Sequence, residues 1–423
     1  MKVVISAGGK GTRIASFFPD IPKPLIKLHG KSVLEHQIEA LSSQGFDDII
    51  ITVGHMGEKI KEHLGDGAEN YGVKIEYFEE KEPLGTAGAL TRLYEKLSDD
   101  FVLINGDLFF DADINRLVAF HKEKKALATV YTHPNSHPSD STLIVAGEDG
   151  RVSRFVTAES RHGYFSNRVN AGIHILSKKA LEGFQTGEKL NLDRDVLVPL
   201  SARGGLFCLD TDEYIKDMGT PDRYSAVLAD IDNGLPHKLS RRTERKAVFL
   251  DRDGTLNVHK GFLTDINDLE LCEGAAEALN QINSSGYLAV VVTNQPVVAR
   301  GDVTERELGD IHNKLEALLG DNGAYLNRIY FCPHHPDKGF EGEVPELKIK
   351  CDCRKPSDGM FRQAAEELNI NLSASFTVGD SEADILAGKN AGTKTVLIGS
   401  GNYGQDYTVK TILEAIQVIL NEK

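Results

Sequence analysis

Lys2-Val3-Val4-Ile5-Ser6-Ala7-Gly8-Gly9-Lys10-Gly11-Thr12-Arg13 sets the β-branched run Val3-Val4-Ile5 directly against a glycine-rich turn. A short apolar run reads as a strand, and glycines straight after it let backbone N–H groups approach a phosphate. Working outward, strands are expected at residues 2–6, 49–53, 73–77 and 101–105, with amphipathic helices near 33–44, 58–64 and 87–97 between them. Strands alternating with helices imply βαβ units around a mostly parallel sheet. The same grammar restarts at Ala247-Val248-Phe249-Leu250-Asp251-Arg252-Asp253-Gly254-Thr255. Further strands follow at 288–293, 328–331, 375–378 and 395–398, separated by helices at 275–285, 305–319, 360–368 and 383–391. The fold class is therefore α/β in two domains, over residues 1–234 and 247–423. Residues 235–246, polar and basic with a proline, read as a solvated linker after a helix at 221–231.

Of 423 residues, 40% are hydrophobic and 26% charged, enough apolar material for more than one core. The 48 Lys and Arg face 63 Asp and Glu, a net charge of −15, which repels phosphate backbones and anionic lipid. No nucleic-acid or membrane partner is expected, and a phosphorylated ligand must be held by local cations, amides or a metal ion. The first apolar stretch is too short for a signal-peptide core and no run approaches the ~20 residues of a membrane helix, so the expected location is the cytoplasm. Five cysteines, an odd number, form no disulfide framework.

The opening turn is neither a dinucleotide fingerprint, because Ile14 stands where the last glycine belongs, nor a P-loop. Pro22-Lys23-Pro24 then fixes a lysine between two rigid residues. Pro83-Leu84-Gly85-Thr86-Ala87-Gly88, Asn105-Gly106-Asp107, Asn170-Ala171-Gly172 and Asp217-Met218-Gly219-Thr220 follow in order. With these motifs, nearly all of residues 1–234 resembles the sugar-1-phosphate nucleotidyltransferases. The resemblance implies a Rossmann-like fold in which a sugar phosphate oxygen attacks the α-phosphorus of a nucleoside triphosphate and pyrophosphate leaves, chemistry that rests on positioning and charge neutralisation. It assigns Gly8, Gly9, Gly11 and Thr12 to the triphosphate, with Arg13 and Lys23 as the catalytic cations. Asp107 and Asp217 would hold Mg²⁺; Gly85, Thr86 and Gly88 would lie against base or sugar, and Asn170 and Gly172 near the sugar. Taken singly, Asp107 and Asp217 read as turn residues and Gly85 and Gly88 as turn glycines. Relatives often carry Glu-Lys-Pro after the middle strands. Here Phe155-Val156-Thr157-Ala158-Glu159-Ser160-Arg161 has no lysine, leaving Arg161 and Arg168 as substitutes.

In the second half, Asp251 and Asp253 at a strand end can converge on one ion, one through its side chain and one through its backbone. Thr293-Asn294, Lys355-Pro356 and Gly379-Asp380 with Asp384 complete a resemblance to the haloacid-dehalogenase-like phosphatases. That resemblance makes Asp251 the nucleophile and Asp253 the general acid and base. Thr293, Asn294 and Lys355 would hold phosphate oxygens, and Asp380 would join Asp251 and Asp253 on Mg²⁺, while Asp384 reads equally as a helix-start residue. Residues 252–292 are too few for a large cap domain. Cys332-Pro333-His334 and Cys351-Asp352-Cys353 have the spacing and softness of a tetrahedral zinc site, structural in kind, ordering the loop that carries Arg354 and Lys355. Cys-Pro-His-His-Pro and Cys-Asp-Cys-Arg-Lys-Pro resemble the heptose-bisphosphate phosphatases over roughly 246–400, although histidinol-phosphate phosphatases share the zinc spacing. Arg300 is the candidate for the distal phosphate, and Arg354 joins the substrate-binding set.

A phosphatase that destroyed the nucleotidyltransferase's sugar 1-phosphate would be futile. One that removed the distal phosphate of a sugar bisphosphate would feed it. Heptose 1,7-bisphosphate fits both halves, with GTP favoured because heptose adenylation usually belongs to another family. The product would be GDP-heptose for bacterial surface glycan. The alternatives are a mannose 1-phosphate or other hexose 1-phosphate nucleotidyltransferase with a histidinol-phosphate-type phosphatase, or a nucleotide-sugar sensor on an active phosphatase. Oligomeric state is not legible.

Overall fold

The apolar run before the glycine turn forms strand β1 (Val3–Ala7), with Val3, Val4 and Ile5 wholly buried as a strand covered on both faces requires. It belongs to a computed structural model that describes residues 1–9, 13–14, 17–339 and 341–422. The chain divides into two compact units: Met1–His133, Ile144–Val156 and Asn170–Ser240 form the first, and Pro134–Leu143, Thr157–Val169 and Arg241–Lys423 the second.

In the first unit, a short hairpin, β2 (Lys27–Leu28) and β3 (Lys31–Ser32), leads into the helix Val33–Ser42. Ser32 and Glu35 close that helix's first turn as a capping box, and Leu34, Ile38 and Leu41 bury its inner face. The strands that follow are β4 (Asp48–Val53), β5 (Lys74–Glu79), β6 (Asp100–Asn105), β7 (Leu108–Asp111), β8 (Ala128–His133), β9 (Leu143–Ala146), β10 (Val152–Val156), β11 (Val169–Ser177), β12 (Leu206–Asp210) and β13 (Tyr214–Asp217). The main sheet runs β10-β9-β11-β6-β1-β4-β5, with β8 beside β11 and β12. β1 lies parallel to both β4 and β6, so the chain changes direction across the sheet at β1. Such a switch point opens a crevice at the carboxyl ends of the strands, here just beyond Gly8 and Asn105. β7 and β13 pair antiparallel as a separate ribbon, Asp217 opposite Leu108.

The second unit carries β14 (Lys246–Leu250), β15 (Tyr287–Asn294), β16 (Arg328–Cys332), β17 (Phe376–Gly379), β18 (Lys394–Ile398) and β19 (Tyr407–Val409). They form one parallel sheet in the order β16-β15-β14-β17-β18-β19. Its switch point is β14, between β15 and β17, and the residues that follow these three strands face one crevice.

Two features depart from expectation. The stretch 235–246 is not a solvated tether: Leu235–Leu239 is helical with Leu235, Pro236 and Leu239 buried, and Arg245 is 1% exposed with its guanidinium on the Leu368 carbonyl. Its polar average concealed an apolar face spaced four residues apart. The second departure is that residues 134–143 and 157–169, read as part of the first domain, cluster with the second unit. No helix among the described residues is long and apolar enough to cross a membrane.

Candidate active sites

In the first unit, Lys23 begins the single 3₁₀ turn Lys23–Leu25 between its two prolines, and its ammonium contacts Asp107 Oδ2. Asp107 leaves β6 just before β7. The β7–β13 ribbon brings Asp217 to it: Met218 N–H donates to the Asp107 carbonyl at 3.0 Å. Asp217 accepts from Gly219 N at 2.8 Å and from Arg223 Nη1 at 2.9 and 2.8 Å. Burial opposes its charge, but the Gly219 amide, Arg223 and Lys23 outweigh burial and hold its carboxyl below the usual range. A Cβ at Gly219 would lie 2.7 Å from Asp217 Oδ1, 3.4 Å from Arg13 Nη2 and 3.6 Å from Lys23 Nζ, so these predicted groups do converge.

Arg223 was not anticipated. Its signal is positional, since Thr220 caps the helix Pro221–Asp232 and sets Arg223 on its first turn, over Asp217. Gly85, Thr86 and Gly88 brace a neighbouring segment. Ala87 N donates to the Leu190 carbonyl at 3.0 Å and Leu192 N to Thr86 Oγ1 at 2.7 Å. Gly85 sits at φ +80°, where any Cβ would also run into the Leu190 carbonyl. Asn170 donates to Asp193 at 3.1 Å and accepts from Gly172 N at 2.9 Å, and Gly172 packs on the Asn105 side chain. Gly8 abuts the Glu80 carboxylate and Gly9 is open, whereas Gly11 and Thr12 lie outside the described residues.

The expected stand-ins for the missing lysine are engaged elsewhere. Arg161 donates to the carbonyls of Pro138 and Ser141 at 2.8 and 2.6 Å. Arg168 is buried, pairing with Glu316 at 3.3 Å and donating to the Asn327 carbonyl at 3.0 Å, all within the second unit. A guanidinium so desolvated stays with its carboxylate, which corrects the expectation for Arg168.

In the second unit, a cavity of about 360 Å³ is lined by Asp251, Asp253, Thr293, Asn294, Arg354, Lys355, Asp380 and Asp384. Lys355, buried, donates to Asp251 at 2.6 Å, to Asp384 at 2.5 Å and to the Val292 carbonyl at 2.7 Å. Burial pushes the Asp251 carboxyl up to about 7 despite Lys355, with Asp384 adding to the rise. Asp380 is raised by burial and by Asp384 in the same way. One carboxylate oxygen from each of Asp251, Asp380 and Asp384 lies within 4.8 Å of the others, a hard-oxygen cluster that fits a divalent cation such as Mg²⁺. Asp384 also closes the capping box of the helix Glu382–Ala391, the helix-start role its sequence position suggests.

The Asp253 carboxylate stands apart from that cluster. Arg252, Gln295 and Asn257 donate to it at 3.1, 2.8 and 3.0 Å, and together they outweigh burial and lower its pKa. Asn294 clamps the Lys355 backbone, donating to its carbonyl at 3.0 Å and accepting from its N–H at 2.9 Å. Thr293 Oγ1 accepts from Gln295 at 2.9 Å. Arg300 lies 4.2 Å over the ring of Phe262, itself a wall of the cavity, and pairs with Asp302 at 2.7 Å.

Cys332, His334, Cys351 and Cys353 come together as expected. Their Sγ–Sγ distances are 3.6, 3.3 and 3.3 Å, and His334 Nδ1 is 3.6 and 3.3 Å from Cys332 and Cys353. A tetrahedron with Zn–S bonds of about 2.3 Å has edges of roughly 3.8 Å, so the quartet fits zinc with slight expansion. Burial and Cys351 push the Cys353 thiol up to about 11. Arg354 donates to the His334 carbonyl at 3.1 Å, joining this cluster to the loop of Lys355.

Comparison with known proteins also finds two halves, but keeps residues 134–143 and 157–169 with the first. The nucleotidyl transferase family model matches residues 2–234, and a HAD-hydrolase-like model matches 352–419. The D-glycero-beta-D-manno-heptose-1,7-bisphosphate 7-phosphatase of Haemophilus ducreyi is 46% identical over 159 residues, 37% of this chain and 85% of that protein. That of Pasteurella multocida is 46% identical over 158 residues, 37% of this chain and 83% of its own. Among solved structures, HddC from Yersinia pseudotuberculosis covers 54% of this chain and 99% of its own at 27% identity, with a TM-score of 0.47.

Proposed function

We propose, from the premise that this chain belongs to the nucleotidyl transferase family through residues 2–234 and to the heptose-1,7-bisphosphate 7-phosphatase family through its second half, that it catalyses consecutive steps of nucleotide-heptose synthesis. The second half removes the 7-phosphate of D-glycero-D-manno-heptose 1,7-bisphosphate. The first joins the resulting heptose 1-phosphate to GMP from GTP, releasing pyrophosphate. The observation that carries the reading is the coexistence on one chain of a buried aspartate cluster suited to phosphomonoester cleavage and a cation-lined crevice suited to a triphosphate.

In the phosphatase half, Asp251 attacks phosphorus and the phosphorus–sugar oxygen bond breaks, with Asp253 supplying the leaving oxygen's proton. Water then cleaves the aspartyl phosphate, giving a proton back to Asp253. Lys355 answers the phosphate charge. Asp251, Asp380 and Asp384 would hold Mg²⁺, which when bound neutralises charge on the transferring phosphoryl group. In the transferase half, Lys23 and Arg13 neutralise the triphosphate, Asp107 and Asp217 would hold Mg²⁺, and Arg223 steadies Asp217. The cysteine quartet would hold a structural zinc. Both substrates are small and charged, which suits a cytoplasmic enzyme.

One mixture tests the reading: protein, Mg²⁺, GTP and each anomer of heptose 1,7-bisphosphate, followed by mass spectrometry. GDP-heptose with free phosphate and pyrophosphate is the expected result. Phosphate without nucleotide sugar from any nucleoside triphosphate would sink the transferase half of the reading. ATP or dTTP well ahead of GTP would sink the guanine assignment.

A further inference from the structure

Arg252 stands between the two reacting aspartates, where the sequence offers no reason for its chemistry. It is wholly buried. Its Nε and Nη2 reach the Asp253 carboxylate at 3.1 Å each, and Nη2 also reaches Gln295 Oε1 at 3.0 Å. Gln295 donates back to Asp253 Oδ2 at 2.8 Å and to Thr293 Oγ1 at 2.9 Å, so guanidinium, amide and carboxylate close a ring. Burying a guanidinium is costly, and the cost is met only where every donor is used. Here Nη1 is buried without a hydrogen-bond partner among the described residues. Arg252 is thus placed for Asp253 rather than for its own satisfaction. On the helix Glu305–Gly320, burial and the Arg252 charge push the His312 pKa down to about 3, so it adds no competing charge.

The consequence is a division of labour among four carboxylates. Asp251, Asp380 and Asp384 face one another, while the Asp253 carboxylate is tied back. A carboxylate two residues from Asp251 and without that tie would be drawn to a cation bound by the other three. We propose that Arg252, seated through Gln295, is a positioning residue that keeps the Asp253 carboxylate, as distinct from its backbone carbonyl, out of the cation's ligand set and aimed as the base for hydrolysis of the aspartyl phosphate. In that step the water oxygen bonds to phosphorus, the Asp251–phosphorus bond breaks, and the water's proton passes to Asp253. This rests on reading Asp251 as the nucleophile.

The test uses the full chain with heptose 1,7-bisphosphate, acid-quenched in steady state, with phosphate bound to protein measured by mass spectrometry. In Arg252→Met, turnover should fall about 100-fold, the order of a general-base contribution, while phosphoenzyme rises toward one per chain. Gln295→Leu, which keeps the arginine, should shift both in the same direction by roughly 10-fold, and it decides the matter if Arg252→Met does not fold. Unchanged turnover, or slower turnover without phosphoenzyme, would overturn the proposal. Asp253→Asn is the reference for trapping. If neither it nor the wild type ever carries phosphate, the nucleophile reading fails instead.

Discussion

In the first unit Asp107 and Asp217 are each answered by a cation, Lys23 and Arg223, whereas in the second Asp251, Asp380 and Asp384 cluster around Lys355. Exposure differs in the same sense. The side chains of Asp107 and Asp217 are 30% and 37% exposed, those of Asp251 and Asp384 only 11% and 3%. Water shares the charge in the first crevice. In the second it cannot, and burial pushes the Asp251 carboxyl up to about 7. A crevice for a triphosphate needs surplus positive charge that ligand can reach. A crevice that forms an aspartyl phosphate needs a carboxylate kept dry beside a cation.

The sharpest way to break this comparison is to remove one site at a time. Asp251→Asn should lower phosphate release by about 10⁴-fold or more, because the nucleophile is gone, while pyrophosphate release from heptose 1-phosphate and GTP stays at the wild-type rate. Loss of both activities would mean that the sites are not independent. Conversely, Lys23→Met should cost roughly 10³-fold in nucleotidyl transfer and Arg223→Met about 10-fold, since one acts on phosphate and the other through Asp217. Phosphate release is the control, and a larger loss for Arg223 would reverse the roles given to the two cations.

A smaller effect is expected at the zinc quartet. Cys353→Ser should abolish stoichiometric zinc in metal analysis and reduce phosphate release by about 10-fold through the Arg354–Lys355 loop, leaving transfer intact. Retained zinc would remove Cys353 from the ligand set. Smallest of all are two matched helix caps, Ser32 in the first unit and Thr304 in the second, both in capping boxes. Ser32→Ala and Thr304→Ala should each cost about 1 kcal/mol in denaturant unfolding. Matching costs would show that the halves differ in their sites and not in their local helix energetics.

Much of this was legible beforehand. The strands beginning at Val3 and Lys246, the glycine turn and the cysteine–histidine quartet are local patterns, and each reads from spacing alone. Arg223 was missed because its partner lies six residues back, across a helix start. Arg252 had no role in the sequence reading, and Arg168 read as a substitute for a lysine rather than the partner of Glu316. Asn294 was assigned to phosphate, yet most of its hydrogen bonding goes to the Lys355 backbone.

The sequence by itself determined the α/β class, the two halves and the types of residue at each reaction centre. Hydrophobic period and motif spacing are short-range properties, written within one element and its turn. Only the tertiary structure decided which carboxylates share a cation, which is held back by a guanidinium, and to which unit residues 134–143 and 157–169 belong. Those outcomes depend on desolvation and on partners brought together from distant parts of the chain, and a charge buried by packing must take whatever partner the fold places beside it.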